Sequence, residues 1–534
     1  MSALAGSLKE ACERWADRPA ITFRGTTTVT YRELWRQVEA LADFYRSIGI
    51  RPGDRIVCQF RNCTEYIVVV AAAWECGAIH VGTDNDLTGS ELAWLVDRTE
   101  ASVLAFQPLP DAGDELRVLG DVRRARAATK VLLHECCPEH EGHACLNDIL
   151  LTESDREPGP SGDPVPAGEA PALGPDDTAV LHLTSGTTGR PKAVMETPPA
   201  FWAKMQFFAD AFDPGPDDVM LLYLPMGHVF GIRLGMMTLL AGGRLVLMER
   251  FSPRVALRAI AEEGVTVLPG MPTHLNLLLS ALDGADHDVS SLRWVISAAA
   301  TLPPGLAERV YERLGVEILF VYGCSENFTT CTVDRDDILV GSVGNTVYAG
   351  PEGTPPDGTI RAVSPLDHTP LPAGEVGELA FGARGPVHYW KAPDAATDGR
   401  YYTGDLGRVD PDGRVYVLGR LKELVNRGGL KVSPSEVEAA IVRHPGVADA
   451  AVVGTPDPVL GEAVCTCIVP AGDHPPSLTE LRDFLGQSLA RHKLPDELAL
   501  VDGIPRTVIG KVDRPALVAT VLADDRPRQR LRSR

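Results

Sequence analysis

Thr184-Ser185-Gly186-Thr187-Thr188-Gly189-Arg190-Pro191-Lys192 is the most informative stretch of the chain, because it joins hydroxyl groups, glycines and a lysine. Hydroxyl groups can donate to phosphate oxygens, glycines let the backbone approach a ligand closely, and a lysine adds positive charge. The apolar run 179–183 precedes the loop directly, so we expect a strand followed by a phosphate-binding turn. The loop differs from the Walker pattern because Arg190-Pro191 separates Gly189 from Lys192, which disfavours a Walker ATPase.

The chain around this loop alternates strand-like apolar runs with helical patterns. Strands are predicted near 55–60, 101–106, 130–133, 219–224 and 244–248, and the most apolar stretch, 66–81, predicts a buried helix. This alternation predicts an α/β fold with parallel or mixed sheets covered by helices. From Arg420 the composition changes, and Ser433-Pro434-Ser435-Glu436 is a typical helix start. We therefore predict a large N-terminal domain over 1–419, a hinge at 420–422 and a small α+β domain over 423–534.

Composition narrows the class of protein. The 534 residues exceed what one core supports, and 44% apolar with 23% charged residues is typical of globular proteins. A net charge of −21 disfavours nucleic acid and anionic lipid as partners. The N-terminal residues lack a continuous apolar signal, and 66–81 is too short and too interrupted to span a bilayer, so we expect a cytoplasmic protein without a membrane anchor.

Eleven cysteines are scattered along the chain, which predicts reduced thiols rather than a disulfide framework. One group offers zinc-type ligands within ten residues, namely Cys136, Cys137, His140, His143 and Cys145. Their spacing matches no standard paired motif, so an ordinary loop is the preferred interpretation and metal binding stays open.

The phosphate-type loop and five further motifs resemble the adenylate-forming superfamily of acyl-CoA synthetases, peptide-synthetase adenylation domains and luciferases. The resemblance covers nearly the whole chain, keeps the order of the motifs, and is greatest for the acyl-CoA ligases. The further motifs are Pro225-Met226-Gly227-His228-Val229-Phe230-Gly231, Tyr322-Gly323-Cys324-Ser325-Glu326, Tyr402-Thr403-Gly404-Asp405, Gly419-Arg420-Leu421-Lys422-Glu423 and Gly510-Lys511. The resemblance implies an AMP-forming acid–thiol ligase that uses ATP, Mg²⁺ and CoA.

The resemblance also implies a role for each matching residue at the nucleotide. Glu326 is expected to bind Mg²⁺, Asp405 to accept from both ribose hydroxyls with Arg420 beside it, and Tyr322 to lie on the adenine face. Lys511 is expected to bridge the substrate carboxylate and the α-phosphate during adenylation. The predicted nucleotide contacts are Thr184, Ser185, Gly186, Thr187, Thr188, Gly189, Lys192, Ala299, Tyr322, Ser325, Asp405 and Arg420.

Further matches concern the acid and the thiol. His228 corresponds to a gate beside the acyl pocket, Lys422 to the hinge of a mobile C-terminal domain, and Gly428-Gly429 to the path of the pantetheine thiol. The acyl pocket is predicted at Trp202, Phe230, Gly231, Ala299, Cys324 and Thr329. These residues are mostly small or apolar, and Val229 stands where amino-acid activators carry an aspartate, so a bulky hydrophobic or ring-bearing acid is favoured.

Three departures from the family lie at or near the nucleotide site. Ala193 follows Lys192 where glycine is usual, Ala298-Ala299 replaces a glycine pair, and Cys324-Ser325 precedes the glutamate where threonine is common. Added methyl groups at glycine positions are expected to weaken ATP binding or adenylation. A specific possibility is therefore an enzyme specialised for the thioester-forming half-reaction, which takes a preformed acyl-adenylate from a companion ligase. The complete two-step reaction is preferred, because the charged site residues remain.

The same motifs are compatible with three more classes of protein. A stand-alone adenylation enzyme that loads a carrier protein would share every motif, and Asn426-Arg427-Gly428-Gly429 is compatible with both acceptors. A luciferase-type oxygenase is disfavoured because Asn426 replaces a lysine that luciferases carry. A non-catalytic adenylate-binding protein is disfavoured by the presence of Lys511 and Glu326. The acid and the oligomeric state do not follow from the sequence.

Overall fold

The computed structural model describes residues 4–83, 87–108, 112–134, 144–154, 173–184, 192–282, 287–326, 328–345, 360–382, 388–392, 400–507, 511–523 and 528–530. The side chains of 112–116, 151–154 and 328–329 are not part of that description. None of the helices in these ranges is both long and apolar enough to cross a bilayer.

The first part of the chain contributes nine strands and seven helices. They are α1 Leu4–Arg14, β1 Pro19–Phe23, β2 Thr27–Thr30, α2 Tyr31–Ser47, β3 Arg55–Gln59, α3 Thr64–Glu75, β4 Ile79–Gly82, α4 Gly89–Thr99, β5 Val103–Phe106, α5 Ala112–Ala125, β6 Lys130–Leu133, β7 Ala144–Cys145, α6 Leu146–Ser154, β8 Val180–Thr184, β9 Lys192–Glu196 and α7 Pro198–Phe212. Seven of the strands form a sheet in the order β7-β6-β5-β3-β4-β8-β9. Its neighbours are parallel except for the antiparallel pair β8–β9, which brackets residues 185–191.

The next part completes a second, eight-stranded sheet. Its elements are β10 Val219–Leu222, α8 Val229–Leu240, β11 Arg244–Leu247, α9 Pro253–Glu263, β12 Val267–Gly270, α10 Pro272–Leu282, β13 Trp294–Ser297, α11 Pro304–Leu314, β14 Glu317–Gly323, β15 Phe328–Thr332 and α12 Arg335–Leu339. The order is β15-β14-β13-β12-β10-β11-β1-β2, with antiparallel pairs at the two edges and parallel pairs between them. Helix α3, buried over Tyr66 to Trp74, belongs to the large core that also includes strands of this sheet.

Two smaller sheets follow. Strands β16 Ile360–Val363, β17 Val376–Gly382, β18 Arg400–Val409 and β19 Val415–Arg420 form an antiparallel sheet. A short 3₁₀ helix, Leu421–Glu423, leads to a separate sheet and its helices. These are β20 Val425–Arg427, β21 Leu430–Val432, α13 Pro434–Ile441, β22 Val447–Asp457, β23 Gly461–Pro470, α14 Leu478–Leu485, a 3₁₀ helix Arg491–Lys493, β24 Glu497–Leu500, α15 Arg514–Ala523 and β25 Gln529–Arg530. This C-terminal unit has apolar clusters of its own.

The α/β fold class expected from the sequence is confirmed, and so are the strands predicted near 55–60, 101–106, 130–133, 179–183, 219–224 and 244–248. The single helix predicted over 66–81 is wrong in its second half. Helix α3 ends at Glu75, Gly77 turns the chain at φ 68°, and Ile79 begins the buried strand β4. Both elements are buried on nearly every side, so neither shows the amphipathic periodicity that would separate them in the sequence.

Candidate functional site

Three predicted nucleotide residues, Tyr322, Asp405 and Arg420, form a hydrogen-bonded group where β14 meets the β18–β19 ribbon. Asp405 and Arg420 are cross-strand partners, and Arg420 Nε lies 2.7 Å from Asp405 Oδ1. The Tyr322 phenol donates to Asp405 Oδ2 at 2.8 Å. Each carboxylate oxygen therefore has one fixed donor and keeps a lone pair for a ligand.

Asp405 is 5% exposed, and its backbone is held as well. The Asp405 N–H donates to Thr403 Oγ1 at 2.9 Å, and the Gly404 N–H donates to Glu378 Oε1 at 2.8 Å. Burial raises the pKa of Asp405, while the charge of Arg420 and the Tyr322 hydrogen bond oppose that rise. The arrangement presents a rigid acceptor whose charge is balanced by one guanidinium.

Lys511, in the C-terminal unit, lies close enough to this group for the charges of Asp405 and Arg420 to affect its pKa. Its carbonyl accepts from the Thr507 N–H at 2.8 Å, and Arg506 forms an antiparallel bridge with Val512. The pKa of Lys511 is lowered by desolvation and by Arg420, and the negative charge of Asp405 opposes that shift. The charges of Asp405 and Arg420 therefore both act on the Lys511 ammonium group.

The predicted hinge and thiol-path residues lie elsewhere in the C-terminal part of the chain. Lys422 is in the 3₁₀ helix that joins the last strand of the antiparallel sheet to the C-terminal unit. Gly428 and Gly429 form the tight turn between β20 and β21 at φ 58° and 88°, a backbone conformation that suits glycine. The Gly428 N–H donates to Leu460 O at 2.7 Å within the C-terminal unit.

A second group surrounds Glu326, which follows β14. The Tyr389 phenol donates to Glu326 Oε1 at 2.9 Å, and Lys192 Nζ lies 4.9 Å from the centre of the Tyr389 ring. Tyr389 therefore links the lysine predicted to bind phosphate and the glutamate predicted to bind magnesium. Burial and the Glu326 charge raise the pKa of Tyr389, so the phenol keeps its proton and remains a donor.

Of the phosphate-type loop, Thr184 and Lys192 are described and are cross-strand partners at the ends of β8 and β9. Ser185, Gly186, Thr187, Thr188 and Gly189 lie outside the described residues. Ser325 stands between half-buried Cys324 and Glu326. Of the possible metal ligands at 136–145, only Cys145 is described.

Two of the predicted acyl-pocket residues, Phe230 and Gly231, lie in the first turn of α8. His228 is the N-cap of this helix, and the ring of Phe230 lies 6.1 Å from the ring of Phe208 on α7. A side chain at Gly231 would lie 2.3 Å from Pro225 O, so only glycine fits there. The half-buried side chains Trp202, Phe230, Tyr322 and Cys324 pack against the same core cluster. Thr329 lies on β15, with its side chain outside the description.

The three alanines at family glycine positions differ from one another in conformation. Ala193 pairs with Leu183 in a regular strand and is buried in an apolar cluster. Ala298 is buried at 7% exposure. Ala299 alone is left-handed, at φ 69°, and its methyl group is exposed. An alanine in that conformation is disfavoured by about 1–2 kcal/mol, so local strain is confined to this position among the three.

A buried charged cluster behind Glu326 was not predicted from the sequence. Glu196 accepts from Arg233 Nη2 at 2.7 and 2.8 Å, lies 2.7 Å from Lys204 Nζ and 2.7 Å from His182 Nε2. Burial alone would raise the pKa of Glu196, but Arg233 and Lys204 hold it well below its usual range. Lys204 also donates to Glu326 O at 3.1 Å, which connects the cluster to the site. The sequence feature that could have indicated this cluster is Arg233, a charged residue inside the apolar run of α8.

Comparisons with known proteins show the family to which the chain belongs. The AMP-binding enzyme family matches residues 8–387, and the C-terminal domain of AMP-binding enzymes matches 436–511. A 2-hydroxy-7-methoxy-5-methyl-1-naphthoate–CoA ligase from Streptomyces carzinostaticus is 33% identical over 93% of this chain and 89% of its own. A salicylyl-CoA synthase/salicylate adenylyltransferase from a Streptomyces species is 33% identical over 96% and 93%. The crystal structure of ATP-bound MatB from Rhodopseudomonas palustris superposes with a TM-score of 0.80, at 26% identity and 97% and 99% coverage.

Proposed function

The chain belongs to the AMP-binding enzyme family and is an AMP-forming acid–thiol ligase, and from that premise we propose that it joins a bulky, ring-bearing carboxylic acid to CoA. The observation that carries the proposal is the hydrogen-bonded Tyr322–Asp405–Arg420 group, whose charges also act on Lys511. This arrangement combines a ribose acceptor with a cation from a separate unit of the chain. It suits the first half-reaction, in which two anions must be brought together.

In that half-reaction a carboxylate oxygen of the acid attacks the α-phosphorus of ATP, and the bond to pyrophosphate breaks. Asp405 accepts from the ribose hydroxyls, Tyr322 lies against adenine, and the Lys511 ammonium offsets charge between the carboxylate and the α-phosphate.

Glu326 fits the magnesium ion that enzymes of this family use with ATP. It offers a hard carboxylate oxygen as a ligand. The Tyr389 phenol donates a hydrogen bond to that carboxylate, and Lys192 lies over the ring of the same tyrosine. Bound there, Mg²⁺ would neutralise part of the phosphate charge. Lys204 fixes the backbone of Glu326 from behind, so the ligand position does not depend on the loop alone.

In the second half-reaction the thiol sulfur of CoA attacks the acyl carbon, its proton is lost, and AMP leaves as the thioester forms. Because the charge of Asp405 acts on Lys511, we assign the present arrangement to the first half-reaction and expect the C-terminal unit to turn about Lys422 before the thiol enters past Gly428-Gly429. His228, at the start of α8, would lie between the acid and the thiol path.

A ring-bearing acid is supported by the side chains predicted for the acyl pocket and by two relatives. Trp202, Phe230 and Cys324 are apolar, and position 229 is valine rather than an acidic residue that could hold a substrate ammonium. The relatives named above act on a naphthoate and on salicylate. An aromatic acid is therefore the substrate class we propose.

A panel of aryl, arylalkenyl, fatty and amino acids tests the proposal, with ATP and CoA present and with pyrophosphate and thioester both measured. We expect turnover with aryl acids and little with amino acids. Lys511→Met should lower adenylation by about 100-fold or more, yet leave thioester formation from a supplied acyl-adenylate within about tenfold. Lys493→Met, which removes an ion pair to Glu436 in the same unit, is the matched control. Equal loss of both half-reactions in Lys511→Met would contradict the assigned role.

The strained backbone at Ala299 favours one second candidate, an enzyme that works mainly on a preformed acyl-adenylate. Labelled pyrophosphate exchange into ATP, with the preferred acid and without CoA, separates the two candidates. Brisk exchange rules out the second candidate. Thioester formed only from supplied adenylate would support it, and acyl transfer to a carrier protein in preference to CoA would identify a carrier-loading enzyme.

A further inference from the structure

A group of three potential metal ligands lies away from the nucleotide site, where α3 begins. Cys63 is the N-cap of α3, Glu65 is in its first turn, and His134 directly follows β6. The Cys63 sulfur, a Glu65 carboxylate oxygen and a His134 ring nitrogen all lie within 4.8 Å of one another. Residues 63 and 65 are 71 and 69 positions from 134, so only the parallel sheet brings them together.

The spacing suits one ion. His134 Nε2 and Glu65 Oε2 are 3.7 Å apart. A tetrahedral zinc ion, with bonds of about 2.0–2.3 Å, places its ligand atoms about 3.3–3.8 Å apart. The pair already has that separation, and the cysteine sulfur needs at most a shift of about 1 Å, within the reach of a side-chain rotation.

The orientation of His134 supplies a second, independent observation. Its Nδ1 lies 3.2 Å from Asn147 Oδ1, and because an amide oxygen only accepts, Nδ1 carries the proton. On the other side of the ring, Nε2 lies 3.7 Å from Glu65 Oε2, so one metal ion could take both atoms as ligands. A cation between them satisfies both groups, and an outer partner such as Asn147 is the usual way in which a metal-binding histidine is oriented.

Burial favours a specific site over a surface association. Cys63 is fully buried and His134 is 3% exposed, while 22% of the Glu65 side chain is exposed and leaves a path for an ion. We propose that Cys63, Glu65 and His134 bind a zinc ion, with water in the fourth position. Sulfur, imidazole nitrogen and carboxylate oxygen together suit zinc better than the hard ions Mg²⁺ or Ca²⁺. The thiol proton is released to solvent when the zinc–sulfur bond forms.

The location connects this site with the rest of the molecule. The neighbouring Asn62 donates to Leu222 O and Leu224 O and accepts from the Met226 N–H, so it holds the segment that leads to His228. Zinc at Cys63 would join the start of α3 to the end of β6 and stabilise the base of that segment. The site requires no part of the proposed reaction, so failure of one does not imply failure of the other.

The test uses the full-length protein, stripped with a chelator, dialysed and titrated with Zn²⁺ against a chromophoric indicator. We expect one zinc per chain, a weakening of at least 100-fold in Cys63→Ser and Glu65→Gln, and a weakening of about tenfold in Asn147→Ala, an outer partner. Cys76→Ser is the matched control, since Cys76 is also buried and lies at the other end of α3. It should bind zinc like the wild type.

The absorption spectrum of bound Co²⁺ distinguishes a thiol that binds the metal from a thiol that only packs in the core. Co²⁺ should produce a thiolate-to-metal charge-transfer absorption in the wild type and in Cys76→Ser, and none in Cys63→Ser. Zinc should raise the unfolding temperature of the wild type and of Cys76→Ser, but not that of Cys63→Ser. Unchanged zinc affinity in folded Cys63→Ser and Glu65→Gln, or a wild type that takes up no zinc, would overturn the proposal.

Discussion

Replacing Lys204 by methionine tests how the buried cluster supports the site. The lysine lies 2.7 Å from Glu196 Oε1, donates to Glu326 O at 3.1 Å and is 16% exposed. Methionine keeps the unbranched shape but removes both interactions. A charge-assisted hydrogen bond contributes about 1.5–3 kcal/mol, and loss of the bond to the half-buried Glu326 carbonyl adds a smaller cost.

Two features reduce that sum. Glu196 keeps Arg233 and His182, and removal of the lysine also removes the cost of burying its charge. The net loss of unfolding free energy should be about 3 kcal/mol. Adenylation at limiting Mg²⁺ should fall by about 10- to 100-fold, because Lys204 supports the backbone of a proposed metal ligand.

Urea unfolding at about pH 7, followed by tryptophan fluorescence, measures the first effect, and pyrophosphate exchange across a Mg²⁺ series measures the second. Lys391→Met is the matched control, because it breaks an ion pair of similar length, 2.6 Å, with Glu100 at the exposed surface. Solvent screens that pair, and no measurable change is expected. If the Lys204→Met and Lys391→Met proteins unfold at the same urea concentration, the reasoning about the buried cluster is refuted.

Three further substitutions test separate parts of the structure. Ala299→Gly removes backbone strain of about 1–2 kcal/mol, but it also stabilises the unfolded state by about 0.4–1 kcal/mol through greater conformational entropy. The free energy of unfolding measured in urea should therefore change little, while the KM for ATP in pyrophosphate exchange should fall. A higher KM would contradict the strain argument. Asp405→Asn should raise that KM about 10- to 100-fold, because hydrogen bonds to a charged acceptor contribute about 1.5–3 kcal/mol, and an unchanged KM would exclude the ribose role. Burial lowers the pKa of His80 from 6.5 to about 3. His80 therefore binds a proton below about pH 6.5 in the unfolded chain, but only near pH 3 in the folded chain. Stability should therefore fall with decreasing pH in that window by up to about 1.4 kcal/mol per unit, and acid-unfolding curves of His80→Gln should lack this component.

Much of the architecture was predictable because its signals are local. The apolar runs of β3, β5, β6 and β10 stand between helical patterns, and the order of motifs from Thr184 to Lys511 identified the family. The runs at α3 and β4 were harder to separate, because nearly complete burial removes the contrast between faces on which periodicity depends. The site roles assigned to Asp405, Glu326 and Lys511 came from motif resemblance and remain predictions.

The sequence by itself determined which residue types are available and which stretches form strands and helices. Only the tertiary structure decided which distant groups meet: Tyr322 with Asp405, Lys204 with Glu196 and Glu326, and Cys63 with His134. The reason is physical, because a buried charge or an unfilled ligand position is satisfied by whatever the packed sheets bring within about 3–4 Å, and that neighbour has no fixed separation along the chain.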